Sequence, residues 1–344
     1  MRRFETAPAP HLPVRPTVPG MMLEVLCALI PATLVHVWYF GPGLLINMGV
    51  AVTCAVAAEA LMLRLRGRDL MPWLGDGSAV VAAVLFAFTL PPLTPWWITA
   101  TGMIFGIAVA KHLYGGLGFN VFNPAMAGYA VVLISFPAHM TQWLPPVMGD
   151  LDYDAPGVLQ TFAYMLTGHL PGHESLDALT RATPLDAVRT GVGEGRSVIE
   201  ITAGPLFGDF GGRGWEWINN WIALGGFYLL WRGVIRWHIP VAMLATIILL
   251  STLFFFINPD RYAGPGFHVF TGATLLGAFF IATDPVSAAA SNTGRLIYAV
   301  GIGALTWIIR TWGGYPDGVA FAVLLMNMAV PLIDRYTRPR IYGR

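Results

Sequence analysis

The sequence predicts an all-α integral membrane protein of about ten transmembrane helices, arranged as two inverted five-helix repeats with interrupted third helices. Of its 344 residues, 56% are hydrophobic and only 11% are charged, whereas soluble domains carry about 25% charged residues. Apolar segments of about 20 residues, the length that crosses a bilayer, recur along the chain. Short apolar segments that end at a proline stand at matching places in both halves, which is typical of broken membrane helices.

The first half, residues 21–136, follows a basic, proline-rich segment at residues 1–20 that we expect in the cytoplasm. No apolar run with a small-residue cleavage site follows this start, so no cleaved signal peptide is expected. The predicted spans of this half are 21–40, 44–63, 78–90, 95–111 and 121–136. The third is short and stops at Pro91-Pro92, which predicts an interruption.

Residues 137–213 form the one long polar interval, which holds nine of the nineteen acidic residues. The second half, residues 214–335, precedes a basic tail at 336–344. Its predicted spans are 215–231, 239–257, 267–282, 296–309 and 319–333. The third of these is again short, and Asp284-Pro285 stops it.

The distribution of basic residues predicts the orientation in the membrane. Fourteen of the twenty lysines and arginines fall on the side of the N-terminus and six on the other side. Because basic residues favour the cytoplasmic side, both termini should be cytoplasmic and the 137–213 loop extracytoplasmic. Glu24 and Glu59, beside arginines near cytoplasmic span ends, are predicted to pair with them rather than to bind an ion. Cys27 and Cys54 are predicted to be small buried hydrophobes, or a share of a cluster formed with another subunit.

Five spans in each half require that any internal repeat be inverted. The two halves show faint similarity around their short third spans, although chance similarity between apolar runs remains the alternative. The paired segments are Ser78-Ala79…Phe86…Thr89…Pro91 with Gly272-Ala273…Phe280…Thr283…Pro285, and Tyr114-Gly115-Gly116 with Trp312-Gly313-Gly314.

The polar loop contains Asp177, Thr180, Ala182 and Thr183 in the order D-x-x-T-x-A-T, followed by Pro184. Thr183-Pro184 is typical of the N-cap and first residue of a helix. Hydroxyls at a helix N-terminus can also hold a phosphate, because the free N–H groups there favour anions. No histidine or lysine follows at triad-like spacing, which argues against a hydrolytic nucleophile.

Two stretches near span ends carry further candidates. Asn120 and Asn123, in YGGLGFNVFNPAMAGY, place two amides at a helix start after a glycine turn. They either grip a planar hydrogen-bonding ligand or simply cap the helix. Asp284 either caps a helix from Pro285, with Ser287 three residues on, or lies on an ion path.

His169, His173 and Glu174 have a spacing that suits metal ligands on a helix. Pro171-Gly172 lies between the histidines and argues against a helix there. No metal site and no catalytic residue is therefore predicted.

The three motifs together resemble a known family over essentially the whole chain. D-x-x-T-x-A-T resembles the flavinylation motif D-x-x-[ST]-G-A-[ST], in which a dedicated transferase links FMN through its phosphate to the last hydroxyl. With GGLGFNVFNPA and GAFFIATDPVSA, the chain resembles the D subunit of Rnf-type ion-translocating oxidoreductases. It is also similar to the related B subunit of the sodium-pumping NADH:quinone oxidoreductase.

The resemblance implies cofactors and their residues. Thr183 would carry covalent FMN, and Asp177, Thr180 and Ala182 would be the sequence that the flavin transferase recognises. Asn120 and Asn123 match a region that implies non-covalent riboflavin. Arg181 stands where the family motif has glycine.

The resemblance also implies a translocase-type oxidoreductase complex in the bacterial inner membrane, in which this chain is one subunit that is not catalytic alone. Ferredoxin and NAD would act through partner subunits, and Na⁺ or H⁺ would cross the membrane. No nucleic-acid partner is expected. The competing hypotheses are a channel or secondary transporter for a small polar solute, and a membrane anchor without a cofactor. A pure channel has no use for D-x-x-T-x-A-T in an outer loop.

Overall fold

The fold is helical, as the sequence predicts. The computed structural model describes residues 17–147, 156–169, 180–315 and 317–338. Across these ranges no β-strand forms, and the only β-type pairs are isolated bridges, Trp143 with Arg181 and Phe207 with Gly212. The helices long and apolar enough to cross a membrane are Val18–Phe40, Gly43–Leu65, His238–Ile257 and Val319–Tyr336.

The helices fall into three groups along the chain, and every predicted span contains one. The first group is α1 (Val18–Phe40), α2 (Gly43–Leu65), α3 (Leu70–Leu74), α4 (Ser78–Ala87), α5 (Trp96–Phe105), α6 (Pro124–Ser135) and α7 (Pro137–Met140). The polar loop contributes α8 (Val158–Thr167), α9 (Pro184–Gly193) and α10 (Val198–Thr202). The last group is α11 (Trp215–Trp231), α12 (His238–Ile257), α13 (Pro265–Phe270), α14 (Thr274–Leu276), α15 (Asn292–Trp312) and α16 (Val319–Tyr336).

The helices pack around one large core in which small residues recur. Helix α1 packs on α11, α2 on α4 and α5, α12 on α15, and α6 on α16. Ala32, Ala51 and Ala55 are fully buried between helices, because small side chains let helix backbones approach closely in membranes. Cys27, predicted to be buried, is exposed instead, and Cys54 is partly buried. Cys27 shares the outward face of α1 with large apolar side chains, which suits contact with lipid.

Both predicted interruptions are present, and polar side chains hold them. After α4 the chain turns through Pro91-Pro92, where Asn47 Nδ2 donates to Pro91 O at 3.0 Å. Between α13 and α14 the break lies at residues 271–273, where Gly272 has φ of 61°. This second break is nearer the middle of the span than Asp284-Pro285. Since broken membrane helices expose backbone groups, such partners are required.

Two features differ from the sequence predictions. The chain after Pro285 makes turns rather than a helix, and the next helix begins at Asn292. Two π-helical segments, Gly106–His112 after α5 and Gly277–Ile281 after α14, were not predicted. Single π-helical turns within helices occur frequently at functional sites.

Candidate functional site

Thr183 is the N-cap of α9. Its Oγ1 accepts a hydrogen bond from Asp186 N at 3.2 Å, and Pro184 occupies the first helical position. The residue is half-buried, whereas Ala182 is exposed. The N-cap interpretation of Thr183-Pro184 is therefore confirmed. Asp177, the first residue of the motif, lies outside the described residues.

The segment that carries Thr183 is fixed on both sides. Arg181 N donates to Trp143 O at 2.8 Å, and a Cβ on Gly212 would lie 2.1 Å from Pro184 Cγ. A small second core beneath it comprises Leu185, Val188, Val198, Ile201, Phe207, Ala263 and Phe267. The loop helix α9 is thereby anchored on α13 rather than projecting freely.

Arg181, the residue that departs from the flavinylation motif, adopts ordinary backbone geometry. Among the described residues, only glycines have positive φ. The turn therefore does not need glycine for its conformation at this position. The Arg181 guanidinium is exposed and donates to Thr180 O at 3.2 Å.

Thr183 lies at a cleft between the loop and the helix bundle, which we call the Thr183 cavity. Its volume, counted with the open space at its mouth, is about 1150 Å³. Aromatic side chains contribute much of the wall, and Trp143 and Trp215 meet edge to face at 4.8 Å between ring centroids. The aromatic and histidine side chains that line it are His36, Phe88, Tyr129, Trp143 and Trp215.

An ion pair stands behind one side of the Thr183 cavity. Asp317 lines the cavity, and its Oδ1 accepts from the buried Arg310 Nη2 at 3.0 Å. Its Oδ2 accepts from Ala273 N at 2.7 Å, while Arg310 Nη1 donates to His268 O at 2.8 Å. The ion pair therefore connects the break between α13 and α14 to the start of α16. The negative charge of the Asp317 carboxylate is balanced by the Arg310 guanidinium.

A second cleft, the Asn120 cavity, brings together the other candidates of the sequence analysis. Asn120, Asn123 and Asp284 all line it, although 164 positions separate the first from the last (284 − 120 = 164). Its empty volume is about 900 Å³. Both π-helical segments contribute to its wall, through Lys111 and through Phe279-Phe280.

The two asparagines have different environments. Asn123 caps α6, since its Oδ1 accepts from Met126 N at 3.1 Å, and its Nδ2 donates to Ile281 O at 3.3 Å. Its hydrogen-bonding groups are thus engaged within the chain. Asn120 Nδ2 donates to Phe122 O at 3.1 Å, but its buried Oδ1 has no partner among the described residues.

Asp284 closes a turn. Its Oδ1 accepts from Val286 N at 3.1 Å, and its Oδ2 accepts from Ser287 Oγ at 2.8 Å. This arrangement is a local cap of the kind predicted, although a turn rather than a helix follows. Its place on an ion path stays a prediction.

A buried charge cluster that the sequence did not predict lies beside the Asn120 cavity. Lys111 Nζ donates to Glu59 Oε1 at 2.5 Å and to Ser78 Oγ at 2.7 Å. Ser78 Oγ in turn donates to Asp76 Oδ1 at 2.5 Å. Glu59 was predicted to pair with surface arginines, and this is wrong, because only 2% of it is exposed. The one available signal was that Lys111 is the chain's single lysine.

The corresponding prediction for Glu24 is confirmed. Its Oε1 accepts from Arg232 Nη2 at 2.5 Å, and its Oε2 accepts from Tyr228. This pair joins α1 to α11 near the surface. His169 follows α8, whereas His173 and Glu174 lie outside the described residues, and the part of the chain that is described contains no group of ligands that could hold a metal ion.

The two cavities lie back to back along the same helices. At the start of α6, the N-cap Asn123 lines the Asn120 cavity and Met126 lines the Thr183 cavity. At the end of α4, Leu85 lines the Asn120 cavity and Phe88, just after the helix, lines the Thr183 cavity. Three residues of α-helix rise about 4.5 Å. At the start of α6, the residues that line the two cavities are therefore less than one helical turn apart.

These observations define an integral membrane protein with two clefts that open at opposite ends of one helix bundle. Comparison of the sequence gives the family directly: residues 5–343 match the NQR2, RnfD, RnfE family, and the chain belongs to it.

Several relatives are similar over nearly their full length, and each is named as the D subunit of an ion-translocating oxidoreductase complex. The relative from Aliivibrio salmonicida is 48% identical over 345 residues, which cover 99% of this chain and 98% of the relative. The one from Aeromonas hydrophila is 49% identical, covering 99% of each chain. That of Escherichia coli is 47% identical, covering 99% of this chain and 98% of the relative.

Proposed function

We propose that this chain is the flavin-bearing membrane subunit of an ion-translocating oxidoreductase complex of the bacterial inner membrane. FMN is linked to Thr183, riboflavin binds in the Asn120 cavity, and electrons pass between them as Na⁺ or H⁺ crosses the membrane. Ferredoxin and NAD act through partner subunits. One observation carries the proposal: two back-to-back cavities each hold a buried asparagine whose Oδ1 has no partner among the described residues.

The chemistry of these two asparagines fits an isoalloxazine ring, which presents an imide N–H between two carbonyl oxygens. Asn120 and Asn219 each use Nδ2 on backbone carbonyls and leave Oδ1 free. The amide orientation follows from this network, because a flipped amide would face those carbonyls with oxygen. A bound flavin supplies a two-electron redox centre at each cavity, while the chain's own residues orient it and exclude water.

The covalent attachment is supported by the environment of Thr183. Thr183 is half-buried at the N-terminus of a ten-residue helix, where N–H groups and the helix dipole favour a phosphate diester. With a flavin dinucleotide as donor, Thr183 Oγ1 would lose its proton and bond to the flavin-side phosphorus. The phosphoanhydride bond would break, and a nucleoside monophosphate would leave.

The proposal extends to the arrangement of the chain. Two inverted five-helix repeats, residues 21–136 and 214–335, flank an extracytoplasmic loop at 137–213, and residues 1–20 and 336–344 are cytoplasmic. Matching helix pairs support the repeat. The second span packs on the fourth in each half, as α2 on α5 and α12 on α15, and equivalent helices pair across the halves, as α1 with α11.

In-gel flavin fluorescence tests the covalent site. The full chain is expressed with a flavin transferase and denatured before electrophoresis, so that only covalent flavin stays in the band. We expect fluorescence in the wild type and in Thr180→Val, and none in Thr183→Val, because only Thr183 supplies the acceptor oxygen. Thr190→Val is the matched control, because it replaces another threonine of α9 and should leave the fluorescence of the band unchanged. A dark wild-type band, or a bright Thr183→Val band, would refute the attachment.

A further inference from the structure

We propose that the Thr183 cavity is the docking site for the ring of the Thr183-linked flavin, and that Asn219 and His36 bind its imide edge. This inference rests on the proposed function and adds to it the residues that position the ring. It concerns hydrogen bonding within the folded protein and not the attachment itself.

Asn219 offers a fixed acceptor. Its Nδ2 lies 3.1 Å from Trp215 O, 3.0 Å from Phe270 O and 3.4 Å from Gly272 O. Three backbone carbonyls therefore fix the amide and hold Oδ1 on the opposite side. That Oδ1 is buried without a partner among the described residues, and Asn219 lines the Thr183 cavity.

His36 offers the second polar group. It is 2% exposed, and neither Nδ1 nor Nε2 has a hydrogen-bond partner among the described residues. Two aromatic rings lie beside its ring, Phe40 at 5.1 Å and Phe88 at 6.2 Å between centroids. A neutral imidazole carries one N–H donor, and buried polar groups in native proteins are normally satisfied.

The two unsatisfied side chains complement one ligand edge. Asn219 Oδ1 accepts from the imide N–H, and the His36 N–H donates to a neighbouring carbonyl oxygen of the ring. Flat aromatic walls from Trp143, Trp215 and Tyr129 suit the faces of a fused ring. Because Thr183 lines the same cavity, the ribityl chain needs to cross only its interior.

The charges around the cavity permit this occupant. Asp317, one of two carboxylates that line it, is neutralised by Arg310 and by backbone N–H groups. Asp186 also lines the cavity, at the first turn of α9. Neither carboxylate is one of the two groups proposed to bind the imide edge, Asn219 and His36.

Iodide quenching of the Thr183-linked flavin tests this docking. The full chain is purified after co-expression with the transferase, and Thr183→Val supplies the signal of any non-covalent flavin for subtraction. We expect the folded wild type to be much less accessible to iodide than the same chain in denaturing detergent. His36→Phe keeps the ring volume but removes both nitrogens, and should raise the ratio of undocked to docked flavin about fivefold, the effect of one lost hydrogen bond.

Three further variants sharpen the test. His36→Gln restores a donor and should return protection towards the wild type, which a merely structural role would not require. Asn219→Leu should act like His36→Phe. His268→Phe is the matched control, because His268 is buried with an unpartnered Nδ1 but lines a different cleft, and its quenching should equal that of the wild type.

Each failure has its own meaning. No in-gel flavin in the wild type would overturn the proposed function. A bright band whose folded flavin is as accessible as the denatured one would overturn the docking alone. Wild-type protection in His36→Phe, which removes no hydrogen bond among the described residues, would also overturn it, even if Asn219→Leu failed to fold.

Discussion

At the scale of single residues, two asparagines three positions apart have different structural roles. Asn123 holds the chain together, because it caps α6 and reaches the π-helical segment of the second half at Ile281. Asn120 leaves an acceptor in the cavity. The sequence predicted both as ligands or both as caps, since each sits in the same N-x-x-N-P context. Only the folded structure shows that Asn123 Oδ1 caps a helix, whereas Asn120 Oδ1 is left without a partner at the cavity.

We expect Asn120→Leu to lower the acid-extractable flavin of the purified chain at limiting riboflavin, with affinity reduced about fivefold for one lost hydrogen bond. Asn123→Leu should instead destabilise the fold, since loss of an N-cap costs roughly 0.5–2 kcal/mol. Flavin content and thermal denaturation, measured on the same preparations, separate the two effects. Flavin content unchanged in Asn120→Leu would remove this residue from the site.

Lys111 shows why part of the site was not predictable. Its partner Glu59 lies 52 positions away, and Glu59 stands near arginines that suggested a surface role. Burial of a charge is tolerated only with a close opposite charge and hydrogen bonds, which Glu59 and Ser78 provide once α2, α4 and the π-helical segment meet. The spacing of residues in the sequence does not predict that these three segments pack together.

At the scale of elements, the break between α13 and α14 depends on one glycine. Gly272 has φ of +61°, and a Cβ there would lie 2.5 Å from Asp317 Oδ2, 2.6 Å from Leu185 Cδ1 and 2.8 Å from Arg310 Nη2. The sequence predicted an interrupted span because the apolar run is short. The sequence placed the end of this span at Asp284-Pro285, because a proline signals the end of a helix. A glycine within an apolar segment does not show by itself whether the helix is interrupted there.

Gly272→Ala should therefore destabilise the protein more than a substitution that adds only backbone strain. Gly67→Ala is the matched control, because Gly67 has φ of +63° with nothing within 4 Å of its added Cβ. We expect Gly67→Ala to cost about 1–2 kcal/mol and Gly272→Ala to cost more, through displacement of the ion pair. Thermal denaturation in detergent compares them. Equal losses of stability in the two variants would show that the wall of the Thr183 cavity accommodates the added methyl group without a further loss of stability.

At the scale of the whole molecule, the sequence predicted the helical segments well and the cavities not at all. Span positions follow from length and hydropathy, because the bilayer sets the number of apolar residues a helix needs. The cavities depend on which side chains face each other between helices, such as His36 on α1 and Asn219 on α11. Because the apolar segments have similar compositions, the sequence does not predict which side chains face each other.

Orientation in the membrane is the remaining whole-molecule prediction, and the charge distribution argues for it. Six basic residues on the side of the loop against fourteen on the other predict that Thr183 lies outside the cytoplasm. In a Cys27→Ala, Cys54→Ala background, we expect Arg196→Cys to react with a membrane-impermeant maleimide in intact spheroplasts. The Arg196 side chain is 56% exposed on the loop. Arg68→Cys, exposed after α2, should react only once the membrane is opened, and the reverse pattern would invert the proposed path of electrons.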